Sequence, residues 1–107
     1  MRVTHESQVF TINFLHEQFD EPQVRFTLYR GARMFRAMTS CTILGANGPS
    51  PIGISGFAWC ADEDRFCKET GRQIALKRAV QDLPREVRGA ILYAYFTRHE
   101  QDRQRAV

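Results

Sequence analysis

From Val9 to Leu15 the chain reads Val-Phe-Thr-Ile-Asn-Phe-Leu, and Phe10, Ile12 and Phe14 alternate with Thr11 and Asn13. A period of two predicts a half-buried strand, because successive side chains leave opposite faces of a pleated backbone. Glu21-Pro22 predicts a turn. In the second strand, Val24, Phe26 and Leu28 alternate with Arg25, Thr27 and Tyr29, and Gly31 punctuates it. Phe35 to Leu44, rich in Thr, Ile and small residues, predicts a third strand. Ala46 to Pro51 is a loop signal, since Asn-Gly and two prolines break regular structure. Ile52 to Cys60 predicts the fourth strand, and its glycines permit a bulge or the close approach of another backbone.

Beyond Cys60 the period becomes helical. Asp62 or Asp64 suits a helix start, where carboxylates meet the positive end of the helix dipole. A helix is predicted over Arg65 to Asp82. Gly71 inside it costs roughly 1 kcal/mol relative to Ala, which fits a helix pressed close on the sheet, with Phe66, Cys67, Ile74 and Ala75 turned to the core. Pro84 ends this helix or opens the next. Arg85 to Arg98 places Val87, Ala90, Ile91, Ala94 and Tyr95 on one stripe, with Leu92, Tyr93 and Phe96 on other faces. Gln101 to Val107 has almost no apolar content and is expected to fray. The expected fold is α+β: a four-stranded, mostly antiparallel sheet followed by two C-terminal helices packed on one face. A single domain is expected over residues 1–107, with strands within about 8–60 and helices within about 62–100.

Composition narrows the function. A chain of 107 residues, 43% hydrophobic and 25% charged, supports one modest core and excludes large multi-site enzymes. No apolar run approaches the ~20 residues of a membrane-spanning helix. Met1 to Glu6 lacks the apolar stretch of a signal peptide, so a cytoplasmic location is expected. The formal charge is +3, and 13 of the 15 cations are Arg. Arg suits interfaces to phosphate or carboxylate because its planar guanidinium bonds bidentately and stacks; an Arg-rich genome gives the same excess. Gln23 to Cys41 carries Arg25, Arg30, Arg33 and Arg36 and no acid, whereas Asp62-Glu63-Asp64 is a compact acidic cluster.

Reactive residues are sparse. Cys41, Cys60 and Cys67 form no Cys-x-x-Cys pair, and His5, His16 and His99 lack ligand spacing, so reduced thiols, no metal and no cofactor are expected. Cys67 with His99, or Cys41 with His16, would need spatial adjacency and an orienting third group to act as a nucleophile and base. Asp62, Glu63 and Asp64 could hold Mg²⁺, but adjacent helical residues point about 100° apart, and helix capping explains them more simply. The expectation is a protein that is not an enzyme.

Gly56-Phe57-Ala58-Trp59-Cys60, then Asp62, Asp64 and Phe66, and then Gly71-Arg72-Gln73-Ile74-Ala75-Leu76-Lys77-Arg78-Ala79 form the most specific stretch. It resembles a strand-to-helix segment of small bacteriophage and prophage accessory proteins of uncharacterised function, and carries no catalytic residues with it. The resemblance implies a protein acting in the cytoplasm of an infected host cell, binding and inhibiting a host protein or nucleoprotein complex, as anti-CRISPR inhibitors do. A double-stranded-RNA-binding domain has a similar order of elements, but there cations at the last helix start meet phosphate, and here three carboxylates would repel it.

Three candidate surfaces follow. Asp62, Glu63 and Asp64 can mimic phosphates in a partner's cationic channel. Leu92, Tyr93 and Phe96 either bury against the preceding helix or form a homodimer or partner patch. In the alternative function, a small nucleic-acid-binding module, Arg25, Tyr29, Arg30, Arg33 and Arg36 pair phosphates and stack bases.

Overall fold

The computed structural model describes residues 1–29, 31–45, 53–61 and 68–105. The chain forms β1 (Arg2–His5), β2 (Gln8–Thr27), β3 (Gly31–Leu44), β4 (Ile54–Ala61), α1 (Lys68–Val80) and α2 (Arg85–Arg105). The strands make one antiparallel sheet in the order β1-β2-β3-β4, and both helices pack on one of its faces. The α+β architecture read from the sequence is the one observed.

The described residues form four strands, but they are not the four expected. β1 has no counterpart among the expected strands. His5 pairs with Gln8 across Glu6 and Ser7, which have φ of 48° and 67°. Positive φ at both central positions of a two-residue loop matches the twist of the flanking strands. Glu-Ser is an unusual pair to supply it, which is why the turn carries no sequence signal.

The predicted turn at Glu21-Pro22 is corrected as well: both residues lie inside β2. Gln18 pairs with Ala37 and Gln23 with Phe35, so Phe19, Asp20, Glu21 and Pro22 stand opposite Arg36 alone. Pro22 has no N–H to give a neighbour, and a bulge is where a strand tolerates that. The expected first and second strands are therefore the two halves of β2. The β3–β4 ladder shifts at the same level, since Phe35 pairs with Ala61 and Ala37 with Cys60.

On the helical side the core joins Val3, Phe10, Ile12, Cys41, Ile43 and Ala58 of the sheet to Ala75, Leu76, Ala79 and Val80 of α1 and Ile91 and Tyr95 of α2. Each large aliphatic or aromatic side chain so buried contributes roughly 1.5–3 kcal/mol. Two glycines set how close α1 comes. A Cβ on Gly56 would collide with the backbone of Ala75 and Ala79, and one on Gly71 with the Thr39 hydroxyl. The close approach expected at Gly71 is therefore real. α2 lies against β1 and β2, with the Tyr95 ring 5.7 Å from Phe14. Pro84 opens α2 by accepting from Arg88 N at 2.9 Å. The helix runs to Arg105, past the expected boundary near Glu100.

Candidate functional site

Beyond the bulge, β2 and β3 continue as a two-stranded ribbon. Val24 pairs with Met34, Arg25 with Arg33, Phe26 with Ala32 and Thr27 with Gly31. Among the described residues β4 ends at Ala61, opposite Phe35, and the ribbon runs on past it. The turn at Leu28 and Tyr29 leads to Gly31 at φ 65°, a conformation that glycine adopts without a side-chain clash. The Cα radius of gyration is 15.4 Å, against about 13 Å for a compact domain of this length, as a projecting ribbon requires.

The two faces of the ribbon differ chemically. One carries Val24, Phe26, Ala32 and Met34 and continues into Leu28 and Tyr29 at the turn. Phe26 is 85% exposed, and Leu28 and Tyr29 are each 96% exposed. Water-facing apolar side chains this large, grouped on so short a segment, form a contiguous exposed apolar patch.

The other face carries Gln23, Arg25, Arg33 and Phe35. Like charges directly opposite one another destabilise a sheet, and here each guanidinium lies over a ring. Arg25 sits 3.9 Å above Trp59, and Arg33 lies 5.8 Å from the centre of Phe35. Phe19 from the bulge stacks on Trp59 at 6.1 Å, and Phe35 meets Trp59 edge-on at 6.0 Å. Trp59 and Phe35 therefore belong to the sheet face opposite the helices.

Of the five residues of the expected nucleic-acid face, the structure joins Arg25 and Arg33. Tyr29 sits at the turn, beyond the strand face it was expected to share with Arg25. Arg36 lies in the bulge, beside Gln18, Phe19 and Ala37. Arg30 lies outside the described residues, as do Asp62, Glu63, Asp64 and Cys67. The expected helical patch is reduced. Leu92 and Phe96 are partly buried against the core, Phe96 edge-on to Tyr95 at 5.4 Å, while Tyr93 is 73% exposed. Sequence reasoning missed Phe19, Phe35 and Trp59, whose convergence depends on the pairing of β2, β3 and β4.

A second polar cluster lies between the helices and the sheet. Tyr95 donates to both Glu69 oxygens at 3.0 and 3.2 Å, Arg72 Nη2 to Glu69 at 3.2 Å and Gln73 to Glu69 at 3.0 Å. Burial, then the bond to Glu69, pushes the Tyr95 hydroxyl up to about 12. His16 Nδ1 shares a hydrogen bond with the Thr39 hydroxyl at 2.9 Å. Burial above all, then the charges of Arg72 and Lys68, lowers the His16 pKa. The neighbouring Cys41 is fully buried, which pushes its thiol up to about 12 and leaves it protonated at neutral pH. A neutral, enclosed thiol is a packing group. Among the described residues, no three His, Cys, Asp or Glu side chains gather to hold a metal ion, and no helix is long and apolar enough to cross a membrane.

Residues 56–60 and 71–79, the most specific part of the sequence, have a packing role here. Gly56, Ala58, Gly71, Ala75 and Ala79 lie where α1 meets the sheet. These small residues set the helix-to-sheet distance, and they would do so in any chain that brings α1 this near. Compared with protein-family models, curated proteins and solved structures, the chain matches none.

Proposed function

We propose that this chain is a non-catalytic binding protein of the phage accessory type. It docks on a host macromolecular complex through the β2–β3 ribbon and inhibits it in the host cytoplasm, in the manner of an anti-CRISPR. The observation that carries the reading is the exposure of Val24, Phe26, Leu28, Tyr29 and Met34 on one projecting element. Together they offer on the order of 700 Å² of mostly apolar surface, close to the ~800 Å² each partner contributes to a standard interface. Gln23 to Cys41 holds four arginines and no acid, so the groove that receives the ribbon is apolar in its floor and acidic at its rim.

Direct binding to nucleic acid is the second reading, favoured by the pairing of Arg25 with Arg33 on one face. It is the weaker one, because Arg25 already covers the Trp59 ring on which a base would stack.

A pull-down from host lysate, with and without nuclease, tests both. The expected result is one stoichiometric protein partner that survives nuclease and moderate salt and is lost with the Phe26→Asp/Leu28→Asp double variant. Loss of every partner on nuclease treatment, or capture unchanged by the double variant, overturns the ribbon reading. Collapse of binding between low and moderate salt, as counterions are released, supports nucleic acid instead.

A further inference from the structure

The sheet has two long edges, and they are protected differently. Along β2 the open edge carries Glu17, Asp20, Glu21 and Pro22 and is broken by the bulge. Charges, proline and bulges are the devices by which natural sheets block the addition of another strand. β4, at the opposite end of the strand order, reads Ile-Ser-Gly-Phe-Ala-Trp-Cys-Ala over eight residues. It has no charge and no proline, and its register with β3 is unbroken from Cys60 to Ile54.

Among the described residues, no other strand lies beyond β4, and no backbone hydrogen bond from outside the ladder reaches it from Ile54 to Trp59. A side chain reaches it instead: Arg78 of α1, itself exposed, donates Nη1 to the Phe57 carbonyl at 2.6 Å. Ile74, one turn earlier on α1, is 37% exposed, and Phe57 is 44% exposed. The edge is thus flanked by an apolar side chain on each side of the sheet, with one cation at its middle.

We propose that the outer edge of β4 is a strand-addition site for an extended peptide bearing an acidic side chain. An incoming strand donates a backbone N–H to the Phe57 carbonyl and displaces Arg78, whose guanidinium then pairs with the peptide carboxylate. Backbone bonds supply affinity in such additions, and the side-chain contact supplies selectivity. A second copy of the chain is a poorer occupant. Phe57 lies near the middle of β4, so an antiparallel β4–β4 pairing about that point would bring two Arg78 guanidinium groups together.

The probe is a dye-labelled nine-residue peptide of alternating Thr and Val with Glu at its centre, titrated against the full chain by fluorescence anisotropy. Slowed amide exchange of Ser55, Phe57 and Trp59 reports where it binds. We expect saturable binding, weakened about tenfold by Arg78→Glu and less by Arg78→Gln. It is also lost when alternate peptide nitrogens are methylated, and it is retained by the Phe26→Asp/Leu28→Asp ribbon variant. The same peptide with Lys at its centre should bind Arg78→Glu better than the wild type. Absence of binding, equal binding to wild type and Arg78→Glu, or equal binding of the methylated peptide overturns the proposal. So does concentration-dependent dimerisation that protects the β4 amides without peptide. Retention by the ribbon variant separates this site from the ribbon, so either can fail alone.

Discussion

The Arg25 guanidinium carbon lies 3.9 Å from the centre of the Trp59 ring. This contact fastens the base of the projecting ribbon to the last strand of the body, and Phe19 and Phe35 close around the same ring. Cation–π contacts at exposed sites contribute about 0.5–1 kcal/mol. Arg25→Gln is therefore expected to lower stability by that amount in the wild type. In a Trp59→Leu background, where the ring contact is gone, it should be close to neutral. Urea unfolding of the four proteins of this cycle gives the coupling, and zero coupling would show that the stack holds nothing.

Three glycines of the helices and sheet should answer differently to alanine. A Cβ added at Gly89 would have no neighbouring atom within 4 Å, so Gly89→Ala should stabilise the protein by about 1 kcal/mol through helix propensity alone. Gly71 has the same propensity to gain, but its Cβ would collide with the Thr39 hydroxyl. Gly71→Ala should lose about 1–2 kcal/mol net and be partly rescued by Thr39→Ala. Gly56→Ala meets the backbone of α1, which cannot step aside, and should lose about 3 kcal/mol. Thermal melts of the variants check the order.

His16 makes stability depend on pH. Its pKa is lowered in the folded chain by burial, Arg72 and Lys68, so below about pH 6.5 the unfolded chain takes up a proton that the folded chain refuses. Stability falls as pH drops through that window and levels off below the folded pKa. Urea midpoints between pH 8 and pH 5 should decline more steeply in the wild type than in His16→Gln. Parallel declines would remove His16 as the cause.

Cys41 should resist alkylation. Its thiol is fully buried and pushed up to about 12, so iodoacetamide at pH 8 finds almost no thiolate and no path to it. Peptide mapping should show the half-buried Cys60 modified before Cys41, and Cys41 only once denaturant opens the core.

The layering of this fold is legible in the sequence, because period-two and helical patterns change over near Cys60 and the small residues of α1 announce a tight contact. Register is not. In β3 the positions Phe35, Ala37, Thr39, Cys41 and Ile43 read as one unbroken inward row, and all five are buried. Yet Phe35 is buried on the opposite face, against Trp59, because Arg36 is an extra residue in the ladder. No local pattern reveals that, since it is fixed by the partner strands. For the same reason Arg25 could be assigned to a strand face from the sequence, whereas its pairing with Arg33 and the seats of both over Trp59 and Phe35 could not. The Glu6-Ser7 turn is silent in the sequence because neither residue type advertises positive φ.

The bulge also governs how this chain can change in length. Adding or removing one residue within a regular ladder turns every later side chain over, exchanging wet and dry positions to the end of the strand. Between Gln18 and Gln23, and at Arg36, the ladder already absorbs unequal numbers of residues on its two sides. Substituting a different hairpin at this seam would leave the core alternation of the body intact, making the ribbon an exchangeable module on a constant base.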